Sequence, residues 1–170
     1  MSTTGRPGET PVSAPADLRV GIVASRWNAE IVDLLLAHAT EAATESGVSA
    51  PTVARVAGAM EIPVVAQELA RTHDAVIALG CVVRGATPHF DYVCQSVTQG
   101  LTQVALDTAT VVGNGVLTCD TQEQARERSG APGSIEDKGR DATLAAIDTA
   151  TVLRTLRADA QSPVGESVRG

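Results

Sequence analysis

Aromatic side chains are nearly missing from this 170-residue chain: Trp27, Phe90 and Tyr92 are the whole complement. Its core must then be built from Val, Ala, Leu and Ile, and with 44% hydrophobic residues there is enough of them to fill one. Cysteine is scarce too. Cys81, Cys94 and Cys119 form an odd set with no C-x-x-C pair, which speaks against a disulfide framework or a metal site and fits a reducing cytoplasm. A basic surplus is absent. The formal charge of −7 argues against a nucleic-acid partner, which would call for a basic face. No apolar run approaches the length of a membrane span, and no membrane partner is expected. Residues 1–17 lack the apolar middle of a signal peptide and are rich in Ser, Thr, Pro and Gly, so they read as a disordered arm. Residues 159–170 read as a flexible tail, leaving 18–158 as the single folded domain. A dinucleotide fingerprint is missing as well, since Gly113-Asn114-Gly115 lacks its third glycine, and the chain contains no G-x-x-x-x-G-K-[ST] P-loop.

What the chain does contain alternates regularly. Four apolar runs, Leu18 to Ala24, Pro51 to Val56, Ala75 to Cys81 and Thr110 to Thr118, read as strands. Helical patterns follow them, one from Asn28 as N-cap to about Gly47, one opening at Pro63, and a long one from near Phe90 to about Asp107. A short helix after Thr121 runs through Arg128, and Ser134 is expected to cap a last helix reaching about Leu156. Strands separated by helices require crossovers, so the expected fold is α/β. It is a three-layer α/β/α sandwich of flavodoxin-like kind, with a four-stranded, mostly parallel sheet and about five helices.

Ligands of such sheets gather beyond the carboxyl ends of the strands. The densest chemistry there is the stretch Gly80 to Val93, GCVVRGATPHFDYV. Gly85 and Ala86 let a ligand approach the main chain, Thr87 adds a hydroxyl beside the amides of a helix start, and the combination suits phosphate. His89 follows as the side chain best placed to carry protons near neutral pH. Each feature also has an ordinary reading, a common α/β connection and a helix-start histidine. Trp27 follows the first strand, and Ala59, Met60 and Glu61 follow the second, where Glu61 supplies a carboxylate for hydroxyls or amines. Asn114 is placed near the end of the fourth strand, with its two glycines signalling a bulge or a close neighbour. Arg128 and Lys138 belong to charged helix faces that are ordinarily solvated.

Taken together, Gly58-Ala59-Met60-Glu61-Ile62-Pro63, Gly80 to Val93, Asn114 to Thr118, Glu123 to Arg128 and Asp137-Lys138-Gly139 resemble the lumazine synthase family, in order over about residues 18–156. The resemblance implies condensation of 5-amino-6-(D-ribitylamino)uracil with 3,4-dihydroxy-2-butanone 4-phosphate, without metal or organic cofactor. It implies that Trp27 stacks on the pyrimidine, that Ala59, Met60 and Glu61 hold the ribityl chain and ring, and that Cys81, Val82 and Val83 line the pyrimidine pocket. Ala86 and Thr87 would receive the phosphate, and His89 would shuttle protons. Asn114, Arg128 and Lys138 would come from the adjacent subunit of a homo-oligomer, with Arg128 on the phosphate. The family forms pentamers, some closed into sixty-subunit shells, and the length of the Gly130 to Lys138 segment favours a free pentamer here. Trp27, Ala57, Met60 and Asn114 depart from the commonest residues at their positions. Two other classes have claims on this pattern. A receiver-type signalling module needs clustered carboxylates where this chain has Ser25-Arg26, and a non-catalytic lumazine- or flavin-binding or shell-forming scaffold would use the same pocket.

Overall fold

The computed structural model describes residues 11–161; residues 1–10 of the expected arm and 162–170 of the tail lie outside the described residues. The sheet contains β1 (Val20–Ser25), β2 (Thr52–Val56), β3 (Ala75–Val83) and β4 (Val111–Cys119), in the order β2-β1-β3-β4 with every pairing parallel. Strand β3 is central and covered on both faces. Its first seven residues are all buried, as a continuous apolar run demands. The strand order reverses between β1 and β3, which puts the topological switch point where those two strands end.

Helices α1 (Ala29–Glu45), α4 (Gln122–Arg126) and α5 (Lys138–Gln161) contribute to one core layer. There Val20, Ile22, Ile77 and Leu79 meet Val32, Leu35, Ala39, Ala146 and Ile147. Helices α2 (Ile62–Ala70) and α3 (His89–Thr108) cover the other face, packing Ile62, Ala66, Val97 and Leu101 on Val23, Val76 and Ala78. These are the three layers expected from the sequence. With so few aromatics, the closeness of the layers depends on small residues. A Cβ on Gly139 would stand 2.2 Å from the Leu35 carbonyl oxygen, and one on Gly113 would stand 2.5 Å from that of Ala142. The two β4 glycines therefore mark a close neighbour. No bulge occurs, because β3 and β4 stay in one-to-one register from Ala75↔Val111 to Val83↔Cys119.

Several boundaries differ from expectation for local reasons. Ser134 does not cap the last helix, since its hydroxyl donates to the Arg126 carbonyl at 2.7 Å. The capping oxygen is Asp137 Oδ1, which accepts the Arg140 N–H at 3.0 Å, so α5 starts at Lys138 and runs on to Gln161. Helix α4 stops at Arg126, two residues before Arg128. In front of β1, Val12 and Ala14 pack against the core, the Ala14 N–H donates to the Ser46 carbonyl, and Asp17 pairs with Arg154.

Candidate active site

Main-chain bonds gather the strand ends. The Arg26 N–H donates to the Val56 carbonyl at 2.9 Å and the Trp27 N–H to the Ala57 carbonyl at 3.2 Å, joining the loops after β1 and β2. Asn28 joins the rest. It sits in the left-handed region at φ 55, which asparagine tolerates better than most side chains. Its Nδ2 donates to the Cys81 carbonyl at 2.9 Å, and its Oδ1 accepts from Gln122 Nε2 at 3.1 Å. Asn28 therefore stands at the N-cap position of α1 but makes no side-chain cap. It ties β1, β3 and the start of α4 together beside the switch point, a role that spacing in the sequence does not reveal.

Trp27 is left 74% exposed by this arrangement, and Met60 is 49% exposed. An exposed indole at a sheet's carboxyl end is a flat surface ready for a planar partner. Ala59, Met60 and Glu61 form one 3-10 turn, and Glu61 Oε2 accepts the Gly58 N–H at 2.8 Å, so one carboxylate oxygen holds the turn itself. Of Cys81, Val82 and Val83, the sequence puts the first at the end of the third strand and the other two in the loop beyond it. All three are the last residues of β3, paired with Leu117, Thr118 and Cys119, and the Cys81 side chain points into the core. Burial, with nearby Cys119 adding to it, pushes the Cys81 thiol up to about 12, so it stays neutral and offers a ligand only its main chain.

The next residues build the anion-competent part. Gly85, Ala86 and Thr87 are exposed, and the space where a Gly85 side chain would be is open. Helix α3 is 20 residues long and its first turn has no side-chain cap, so N–H groups at its start are left for another acceptor. His89, its first residue, is exposed beside that loop. Arg84 does not serve as an anion ligand. Its guanidinium is taken by Asp91 at 3.0 and 3.2 Å and by Asp120 at 2.7 Å, and it lies 4.2 Å from the Phe90 ring centroid. Those carboxylates, Asp91 first, hold its pKa above the ordinary arginine value. Arg84 thus pins the loop from both ends, a function that its place in the string does not disclose.

Three expected site residues lie elsewhere in the chain. Asn114 is not near a strand end. It is mid-strand in β4 opposite Ala78, exposed, with its Oδ1 accepting the Val116 N–H at 3.0 Å. The uninterrupted register of β4 carries it there. Arg128 and Lys138 stand in the α1/α4/α5 layer, on the far side of the sheet from α3 and His89. The chain from Glu127 to Lys138 doubles back on itself, with the Lys138 N–H donating to the Arg128 carbonyl at 3.0 Å and the Glu136 N–H to that of Glu127 at 3.1 Å. His38 of α1 locks this turn, its Nδ1 lying 2.6 Å from Asp137 Oδ2. The cations converge on one carboxylate: Glu136 Oε2 lies 3.6 Å from Arg128 Nε and 3.3 Å from Lys138 Nζ. Within a single chain, then, Trp27, the Ala59–Glu61 turn, the end of β3 and His89 belong to one end of the sheet, and Asn114, Arg128 and Lys138 do not join them. Among the described residues no group of three or more His, Cys, Asp or Glu could hold a metal ion, and no helix is long and apolar enough to cross a membrane.

Comparison with known proteins assigns this arrangement. The sequence model of the family described as 6,7-dimethyl-8-ribityllumazine synthase matches residues 17–154. A 6,7-dimethyl-8-ribityllumazine synthase of Thermobifida fusca is 66% identical over 157 residues, covering 92% of this chain and 91% of that protein. The proteins of the same name from Corynebacterium efficiens and Mycobacterium leprae are 60% and 62% identical, over 94% and 88% of this chain and 99% and 93% of theirs. With that extent of match and a parallel α/β sandwich whose open strand ends carry Trp27, Glu61 and His89, the chain belongs to the 6,7-dimethyl-8-ribityllumazine synthase family.

Proposed function

We infer that this protein is a transferase of riboflavin biosynthesis. It condenses 5-amino-6-(D-ribitylamino)uracil with 3,4-dihydroxy-2-butanone 4-phosphate to give 6,7-dimethyl-8-ribityllumazine, phosphate and water. A family match spanning residues 17–154 carries this reading. In it, Trp27 stacks on the pyrimidine, and Ala59, Met60 and Glu61 receive the ring and ribityl hydroxyls. The main chain of Cys81, Val82 and Val83 lines the pocket floor. Ala86, Thr87 and the uncapped start of α3 take the phosphate of the second substrate.

The chemistry needs placement and proton transfer. A ring amine attacks the ketone carbonyl, and loss of water leaves an imine. A proton leaves the neighbouring carbon, phosphate departs with the C–O bonding pair, the enol left behind takes a proton to become a methyl ketone, and the second amine closes the ring on that carbonyl with loss of another water. His89, at the loop, moves these protons. Holding both reactants in register can supply on the order of 7–11 kcal/mol of barrier reduction. No metal or organic cofactor is required.

The same reading makes the site a shared one. Arg128 and Lys138 stand on the layer opposite α3, so they complete a phosphate site by facing the Thr87 loop of a neighbouring copy, and Asn114 of that neighbour meets the pyrimidine. Support comes from apolar side chains left bare on the single chain: Val64 at 66%, Tyr92 at 69% and Leu106 at 75% exposed. A homopentamer in the cytoplasm is the proposed form. The test of the activity is direct. Purified protein treated with chelator, given both substrates, should produce the lumazine absorbance. Absence of product, or dependence on added metal or nicotinamide, would overturn the reading.

A further inference from the structure

Glu136 is the buried charge that the proposed reaction leaves without a task. Its side chain is 3% exposed, and its Oε2 has no hydrogen-bond partner. A buried carboxylate is costly unless cations compensate it, and here they do so by charge alone. Arg128 Nε and Lys138 Nζ stand at 3.6 and 3.3 Å from that oxygen. Arg128 also donates from Nη1 to the Gln124 carbonyl at 2.8 Å and has Glu127 at 3.5 Å, while Lys138 has Asp141 at 3.4 Å. Main-chain bonds hold Glu136 in place. Its N–H donates to the Glu127 carbonyl, its own carbonyl accepts from the Gly130 N–H, and the next residue, Asp137, is bound to His38.

We propose that Glu136 is an internal counter-anion that weakens the hold of Arg128 and Lys138 on phosphate. The inference rests on the reading that these two residues meet the substrate phosphate. Such a site has conflicting tasks, because it must grip a phosphate ester and then release the free phosphate that the reaction produces. Two converged cations facing an oxyanion in a partly dry site would bind both tightly. A fixed carboxylate beside them opposes any entering anion while keeping the cations together, and it occupies none of their N–H groups with a well-formed hydrogen bond. Because Oε2 makes no hydrogen bond, glutamine can take its shape without losing one, and the change is mainly one of charge.

The test compares inhibition by inorganic phosphate, competing with the butanone phosphate, in the assembled wild-type protein and in Glu136→Gln, Arg128→Ala and the double variant. In Glu136→Gln the phosphate inhibition constant should fall about tenfold, with the KM for the aminouracil unmoved. Adding Arg128→Ala should abolish that gain. A residue that merely supports the fold would give weaker phosphate binding instead. If Arg128→Ala raises the inhibition constant but Glu136→Gln leaves it unchanged or raises it, the counter-anion role is wrong and the phosphate site stands. If Arg128→Ala itself has no effect, the phosphate assignment fails and takes this inference with it. Should Glu136→Gln fail to assemble, Glu136→Asp draws the charge back by one methylene. It should give a smaller fall, and an unchanged or raised constant overturns the proposal equally.

Discussion

Arg128 and Glu61 serve different substrates in the proposed site, so their truncations are told apart by which KM moves. Arg128→Ala removes a charge-assisted contact worth roughly 1.5–3 kcal/mol. The KM for the butanone phosphate should rise by tenfold or more in steady-state assays, with that for the aminouracil nearly unchanged; the opposite pattern would reverse the roles. His89→Ala should lower kcat on the order of 10²-fold, the range for a lost proton carrier, and leave considerable turnover from placement alone. Cys81 contributes to alkaline behaviour instead, alongside Cys94 and Cys119, whose thiols burial also raises. The folded Cys81 thiol titrates at about 12 against an ordinary 9.0, so its neutral form favours the folded state fully below 9. That contribution is lost as pH rises from 9 toward 12, where the unfolded chain gains a thiolate that the core refuses. Urea unfolding over this window should show a steeper decline for the native protein than for Cys81→Ala, and parallel curves would remove Cys81 as a cause.

Between elements, contact distance decides what a substitution does. Adding one methyl at Gly139 drives it to 2.2 Å from the Leu35 carbonyl oxygen, between α5 and α1, neither of which can yield without disturbing the core. Gly139→Ala should cost about 1–3 kcal/mol by overpacking. The same change at Gly85 meets nothing within 4 Å, and its effect on stability should stay within about 0.5 kcal/mol. Urea midpoints of the two variants check the contrast, and equal loss at both would mean the α1–α5 approach is softer than its geometry implies. Arg84 acts at this scale too, since it staples the loop after β3 to Asp120 beyond β4 and to Asp91 in the first turn of α3.

For the whole molecule the question is whether one chain can hold a complete site. His89 begins a helix on one face of the sheet, and Arg128 lies with the helices of the other. If neighbouring copies share the site, His89→Ala and Arg128→Ala refolded together as mixed rings should restore an intact pair in roughly a quarter of sites, since each subunit is drawn independently. Activity of demonstrably mixed rings should exceed the mean of the separate variants after their residual rates are subtracted, and activity equal to that mean would end the shared-site assignment. Light scattering should return five times the 17.4 kDa chain mass, and a particle the size of a sixty-subunit shell would exclude the free pentamer.

The parallel sandwich, the four strands and the Arg84 to His89 string were legible in the chain by itself. Buried parallel strands must be continuous apolar runs, and the loops that follow them must be small and polar, so both write their signatures locally. Trp27 and the Ala59–Glu61 turn could be placed at strand ends for the same reason. What only the tertiary structure decided were the relations between segments far apart in sequence. Asn28 reaching Cys81 and Gln122, Asp137 displacing Ser134 as the cap while holding His38, and Asn114 lying mid-strand all depend on register and layer distance. Glu136 belongs to that group most clearly. Nothing in Ser-Ile-Glu-Asp-Lys marks it as buried; it is buried because the turn from Glu127 to Lys138 folds two cations over it, an electrostatic balance that exists only once those residues meet.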